Sequence, residues 1–168
     1  MNRVVNSTVL SNFAAVGRLD VLRDTVAPLY LPVEVYSEML DGQMAGYAFY
    51  DNIQQHIFPL VPDGWLRLVT LTDDELELSL SLPACLHQGE RACLSIARQR
   101  DWGFLSDDRA ARLQAAAWHI LTSGTLGVLL LAVQDRRLSI QDGNTLLGRM
   151  IEYAHYRSPV TDLKLLLP

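Results

Sequence analysis

QGERACLSIARQRDWGFLSDDRAARLQAAAW, residues 88–118, is the stretch on which the fold turns. Gln88–Arg100 has helical patterning, with Glu90, Cys93 and Ala97 on one stripe by i+3 and i+4 spacing, while Arg91, Ser95 and Arg98 point elsewhere. Gly103–Ser106 reads as a buried strand, and the alanine-rich run Arg109–Trp118 as the next helix. Working outward, Arg3–Asn6 is a short strand followed by helical stretches near Val9–Val16 and Leu19–Thr25. Pro28–Leu31 is extended, and Pro32 suits the first turn of a helix running to about Leu40. Gly46–His56 has helical composition, Trp65–Leu71 is rich in β-formers, and Thr122 or Ser123 is placed to cap a helix over Thr125–Asp135. Asn144–Tyr156 is the last long helix, and Thr161–Leu167 a short final strand. Strands separated by helices imply an α/β fold, a three-layer α/β/α sandwich around a mainly parallel central sheet.

The chain has 168 residues, the length of one domain spanning residues 1–168, and with 49% hydrophobic and 20% charged residues it has the balance of a folded protein. The two cysteines, Cys85 and Cys93, suggest neither a disulfide framework nor a zinc site, only thiols in a reducing compartment. No apolar run follows Arg3 as a secretory signal requires. Leu113–Gln134 is uncharged and long enough to cross a bilayer, but its centre, His119–Thr125, is polar and turn-forming, so helix, loop, helix is expected in place of a membrane span. These readings point to the cytoplasm. The net charge of −5 argues against a protein that coats nucleic acid non-specifically, though not against local phosphate contacts. Thirteen arginines stand against one lysine, Lys164; the bias suits phosphate recognition and is equally accounted for by genome composition.

Acids and amides fall at element ends in four places. Asn6 closes the first strand, Glu38 lies on the helix opened by Pro32, Glu90 heads a helix, and Asp107-Asp108 closes the Gly103–Ser106 strand. Glu90 leads the inward stripe, so its carboxylate needs a partner, which the helix dipole or a bound cation can supply. One of Asp107 and Asp108 suffices to cap the following helix, which leaves the other free. Glu38 has Glu34 one turn before it, and both are also compatible with a solvated face. Carboxylates converging at the carboxyl edge of a parallel sheet suit Mg2+ or Mn2+, hard cations that take oxygen ligands and leave room for substrate phosphate.

Val4-Val5-Asn6-Ser7-Thr8-Val9-Leu10 resembles the first strand of PIN domains, and Gly89-Glu90-Arg91-Ala92 the motif that opens their central helix. Leu105-Ser106-Asp107-Asp108-Arg109-Ala110-Ala111-Arg112 resembles their strand-then-aspartate motif in its doubled form. Gly124-Thr125-Leu126-Gly127-Val128-Leu129 is similar to a stretch of one bacterial and archaeal PIN-like branch. The ordered set spans almost the whole chain. The resemblance implies a ribonuclease, often the toxin of a toxin–antitoxin pair and commonly a homodimer, with RNA and an antitoxin as partners. It implies Glu38, Glu90 and Asp108 as metal-binding acids, Asp107 as a substitute or fourth ligand, and Thr8 as a supporting hydrogen-bonding group. Arg109 and Arg112, one turn beyond the acidic pair, are candidates to contact substrate phosphate or to neutralise the aspartates.

The departure from that pattern is Asn6, where aspartate is expected. An amide oxygen can coordinate, but it lacks the charge that at 4 Å is worth about 4 kcal/mol at an effective dielectric of 20. Three function classes follow. The first is a metal-dependent endoribonuclease that hydrolyses RNA phosphodiester bonds. The second is a catalytically weakened or inactive binding module for nucleic acid or protein. The third, a phospho-accepting regulator, requires an aspartate at the end of the first strand, and its double aspartate would come earlier in the chain. Trp65, Trp102 and Trp118 are read as packing residues before base-stacking ones, and the four histidines share no ligand spacing.

Overall fold

The computed structural model describes residues 1–167. Its centre is a six-stranded sheet of β1 (Arg3–Val5), β2 (Leu29–Pro32), β3 (Ile57–Phe58), β4 (Leu66–Val69), β5 (Gly103–Leu105) and β6 (Thr122–Ser123), in the order β3-β4-β2-β1-β5-β6. Every paired strand is parallel. The helices are α1 (Ser7–Ala15), α2 (Leu19–Val26), α3 (Val33–Met44), α4 (Asp73–Ser81), α5 (Gln88–Arg100), α6 (Arg109–Ala117), α7 (Thr125–Gln134) and α8 (Ile140–Tyr153). Sheet and helices form an α/β/α sandwich.

The inner strands are short and buried. Val4, Val5, Leu29, Leu31, Phe104 and Leu105 are at most 1% exposed, as expected where helices cover a parallel sheet. α5 crosses β1, β2 and β5 and receives α3, α4 and α6 against its sides, whereas α1, α2, α7 and α8 pack among themselves. This placement buries α5 on more than one face. Ser95, read from the sequence as pointing away from the core stripe, is fully buried with Glu90, Cys93 and Ala97.

From β1 the chain builds outward on one side to β2, β4 and β3, then returns through α4 and α5 to lay β5 on the other side. The strand order therefore reverses between β1 and β5, and ligands of open α/β sheets bind outside the carboxyl ends at such a reversal. Val5 pairs with Leu105, so Asn6 and Ser106 emerge side by side, with the Asn6 N–H donating to the Leu105 carbonyl at 3.1 Å.

Several local expectations change. Gly46–His56 forms two 3-10 turns, Ala48–Tyr50 and Ile53–His56, with Asn52 left-handed at φ 68° between them. Thr161–Leu167, expected as a strand, contains the 3-10 turn Leu163–Leu166, capped by the Asp162 carboxylate on the Lys164 N–H at 2.9 Å. Thr122 and Ser123 pair as β6, and Gly124 is the N-cap of α7. α4 is an additional helix and starts with a capping box in which Thr72 and Glu75 exchange side-chain and backbone hydrogen bonds. No helix of the described residues is long and apolar enough to cross a membrane.

Candidate functional site

Four elements bring side chains to the carboxyl edge of β1 and β5. Asn6 follows β1 and caps α1. Its Oδ1 accepts from the Thr8 N–H at 3.2 Å and the Thr8 hydroxyl at 2.6 Å, and its Nδ2 donates to Ser106 Oγ at 2.8 Å. The residue is 2% exposed with all these amide positions engaged locally. Thr8 Oγ1 also accepts the Asp107 N–H at 3.0 Å, tying the ends of β1 and β5 together.

Glu90, 6% exposed, sits in the first turn of α5. Its Oε2 accepts the His87 N–H at 2.9 Å, half of a capping box, which leaves Oε1 for other work. Burial pushes its carboxyl above the usual glutamate range, against the His87 hydrogen bond, and the charges of Asp108 and Glu38 push it the same way. Glu38 reaches the same helix start from α3, where its Oε1 accepts the Gly89 N–H at 2.7 Å. A Cβ at position 89 would lie 2.7 Å from Glu38 Oε2, so a side chain there would displace the Glu38 carboxylate from the start of α5. Below these acids the fully buried Cys93 thiol is raised well above its ordinary value by burial and by Glu38, Glu90 and Glu34. Glu38 and Glu90 thus meet at the start of α5, the charge of Asp108 acts on Glu90 from the end of β5, and among the described residues none of the three is ion-paired.

The two aspartates divide. Asp108 caps α6, its Oδ1 accepting the Ala111 N–H at 2.8 Å, while its own N–H donates to Ser106 Oγ at 3.1 Å. Asp107 turns to the β6–α7 turn: Oδ1 accepts the Thr125 N–H at 2.9 Å, and Oδ2 accepts the Thr125 hydroxyl at 2.6 Å and Asn12 Nδ2 at 3.1 Å. Its charge is spread over three donors, so it joins α1, β5 and α7 and is not grouped with the other three acids. Arg109 and Arg112 are both exposed on α6, and Arg112 Nη1 donates to the Ser106 carbonyl at 3.1 Å.

Asn12, Ser106 and Thr125 join this hydrogen-bonded edge although the sequence pattern assigns them no role. Asn12 lies one turn after Thr8 on α1, a spacing that places both on one side of the helix. Glu34, compatible by sequence with a solvated face like Glu38, has its Oε2 buried without a hydrogen-bond partner among the described residues. Trp102 packs against Tyr30 with ring centroids 4.2 Å apart, and Trp65 donates to His56 Nδ1, so both serve packing.

Whether a divalent cation suits this arrangement is decided by its donors. Among the described residues Glu38 Oε2, Glu90 Oε1 and Asp108 Oδ2 are carboxylate oxygens without hydrogen-bond partners, and the charges of Glu38 and Asp108 act on Glu90. Among the described residues, however, no three His, Cys, Asp or Glu side chains gather closely enough to hold an ion by themselves. The donors therefore fit magnesium's habit of binding through one or two carboxylates, with water and substrate phosphate completing its shell, and do not make a closed cage.

The family model described as DUF3368, a PIN domain, matches residues 2–166. No curated protein matches the chain.

Proposed function

The chain belongs to the PIN domain family DUF3368, and from that premise we propose that it is a metal-dependent endoribonuclease whose cleft is formed by Glu38, Glu90 and Asp108. PIN domains are typically nucleases and generally use divalent metals. The observation that carries the reading is Glu90, a nearly buried carboxylate with a raised affinity for protons, two acidic neighbours and no cationic partner among the described residues. A buried acid so placed is costly unless a cation or a proton neutralises it.

Glu38 and Asp108 would hold the ion, each having one carboxylate oxygen free while the other accepts a backbone N–H. An ion held there would supply Lewis-acid polarisation of the phosphodiester and a water of lowered pKa. Glu90 Oε2 is fixed by His87, and Oε1 takes the proton released by the attacking water. Arg109 and Arg112 bind RNA phosphates along α6. Thr8 is a positioning residue that holds Asn6 and the Asp107 backbone in register. The toxin role, an antitoxin partner and a homodimer extend this reading by family resemblance.

Single-stranded RNA should be cut with magnesium or manganese by the wild-type protein and not by Glu90→Gln. Equal cleavage in excess EDTA would sink the mechanism. The second reading, a weakened or inactive module that binds nucleic acid or protein, is favoured by Asn6, whose oxygen accepts two hydrogen bonds from Thr8 and brings no charge to the cleft. Wild-type protein that binds RNA without cutting it, and cuts once Asn6→Asp is introduced, would establish that reading.

A further inference from the structure

One strand beyond the acids, a cleft of about 340 Å³ opens between α6, the β6–α7 turn and the segment that follows α8. In a chain of net charge −5, the charged residues lining it are two arginines and one aspartate, Arg112, Arg157 and Asp107. The three donors on Asp107 already disperse its negative charge, so the cleft is locally cationic. Arg112 is held by the Ser106 carbonyl through Nη1 alone, which leaves the rest of its fork open. Arg157 is exposed and has neither an ion pair nor a side-chain hydrogen bond among the described residues.

Neutral hydrogen-bonding groups complete the lining. Ser123 presents a hydroxyl at the carboxyl end of β6, and a Cβ at Gly127 would collide with it, so the glycine makes room for this side chain. Tyr156 is half-buried, and burial together with Asp107 raises its phenol far above the range in which it would ionise at neutral pH. Two guanidinium groups and a hydroxyl around an open cleft match a phosphate, whose oxygens accept several charge-assisted hydrogen bonds. The shared Asp107-Asp108 junction sets this cleft beside the acids along the same sheet edge.

We propose that this cleft is a second RNA subsite, binding a phosphate that flanks the scissile one through Arg112, Arg157 and the Ser123 hydroxyl. The proposal rests on the nuclease reading for its ligand, but its test needs neither metal nor turnover. Binding of a fluorescein-labelled single-stranded RNA octamer is followed by anisotropy in EDTA over a salt series. Arg112→Ala and Arg157→Ala should each weaken binding by about three- to tenfold and flatten the slope of log Kd against log salt by about 0.7, the value of one single-strand phosphate contact. Arg157→Ala removes an exposed side chain with no hydrogen bond or ion pair among the described residues, so its loss of affinity is separated from loss of fold, which an unchanged melting temperature checks; Arg112→Lys keeps the charge while losing the fork. A double Arg112→Ala/Arg157→Ala variant that binds with wild-type affinity and slope overturns the subsite together with the phosphate contact given to Arg112, and leaves cleavage at Glu38, Glu90 and Asp108 standing. A wild-type protein that does not bind the octamer at low salt overturns the subsite and the RNA reading together.

Discussion

Asn6 engages its amide on both sides, and that decides how a charge would be received there. In Asn6→Asp, Oδ1 would keep both donors from Thr8, and the Ser106 hydroxyl proton can turn to the second oxygen while Ser106 Oγ still accepts the Asp108 N–H. The new carboxylate would be hydrogen-bonded yet placed among like charges. The expected outcome is a melting temperature a few degrees below wild type in EDTA, since about 1 kcal/mol corresponds to roughly 2–4 °C for a chain of this size. Manganese should reverse the deficit, and thermal melts of both proteins with and without the ion measure it; a deficit that manganese leaves unchanged removes the cation from the argument. Glu90 gives a pH dependence of defined sign. Its folded pKa lies above its unfolded one, so between the two the native state binds more protons and stability falls as pH rises. Glutamine keeps a carbonyl for the His87 N–H and suits the capping box. Glu90→Gln should therefore show a higher urea midpoint than wild type at pH 7 in EDTA, and the gap should close toward pH 4. A gap that is independent of pH would mean the charge is not the cause.

At the scale of elements, α4 and α5 are joined by a group outside the candidate site. Glu75 is 1% exposed, caps its own helix and accepts from Arg100 Nε at 2.6 Å and Nη2 at 2.7 Å. Arg100 holds the Glu75 carboxyl below the usual range, so this stabilisation is complete above the unfolded pKa and is lost as pH falls toward the folded one. Arg100→Ala would strand a buried carboxylate at a cost of about 2–4 kcal/mol, less than for a sealed pair because the arginine is partly exposed. Urea unfolding at pH 7 checks this, and a loss below 1 kcal/mol would show that water takes over the arginine's role. This pair was illegible in the sequence because its partners are 25 residues apart, and nothing local marks Glu75 as buried. The same limit explains the other misses. The central elements, Gln88–Arg100 and Gly103–Ser106, carry local apolar patterns strong enough to place them, whereas β3 and β6 have two residues each and exist through pairing with β4 and β5. Leu163–Leu166 has the composition of a strand but no strand to pair with, and Asp162 caps it into a turn. Glu90 and Asp108 could be read from their positions at helix starts. Asp107 could not be separated from Asp108, since its partners Asn12 and Thr125 come from distant elements.

At the scale of the whole molecule, topology gathers the acids. Because the strand order reverses between β1 and β5, the end of β5 lies beside the end of β1, α5 packs over both strands, and α3 packs against α5. A chain of net charge −5 that places unpaired carboxylates together is less stable than its packing alone would make it, and a ligand that binds only the folded arrangement should recover the difference. If magnesium binds here, a concentration about ten times its Kd adds roughly 1.4 kcal/mol, or about 3–6 °C in melting temperature. Sodium chloride at equal ionic strength controls for general screening, which acts on exposed charges throughout the surface. The wild-type protein should melt higher in magnesium than in the sodium control, and Glu90→Gln/Asp108→Asn should show no difference between the two salts. The double variant keeps a capping oxygen at each position, so it should fold, and in EDTA it should match or exceed wild type because the repulsion is gone. Equal shifts from magnesium and matched sodium chloride in the wild-type protein would reduce the effect to screening and leave these carboxylates without an ion to hold.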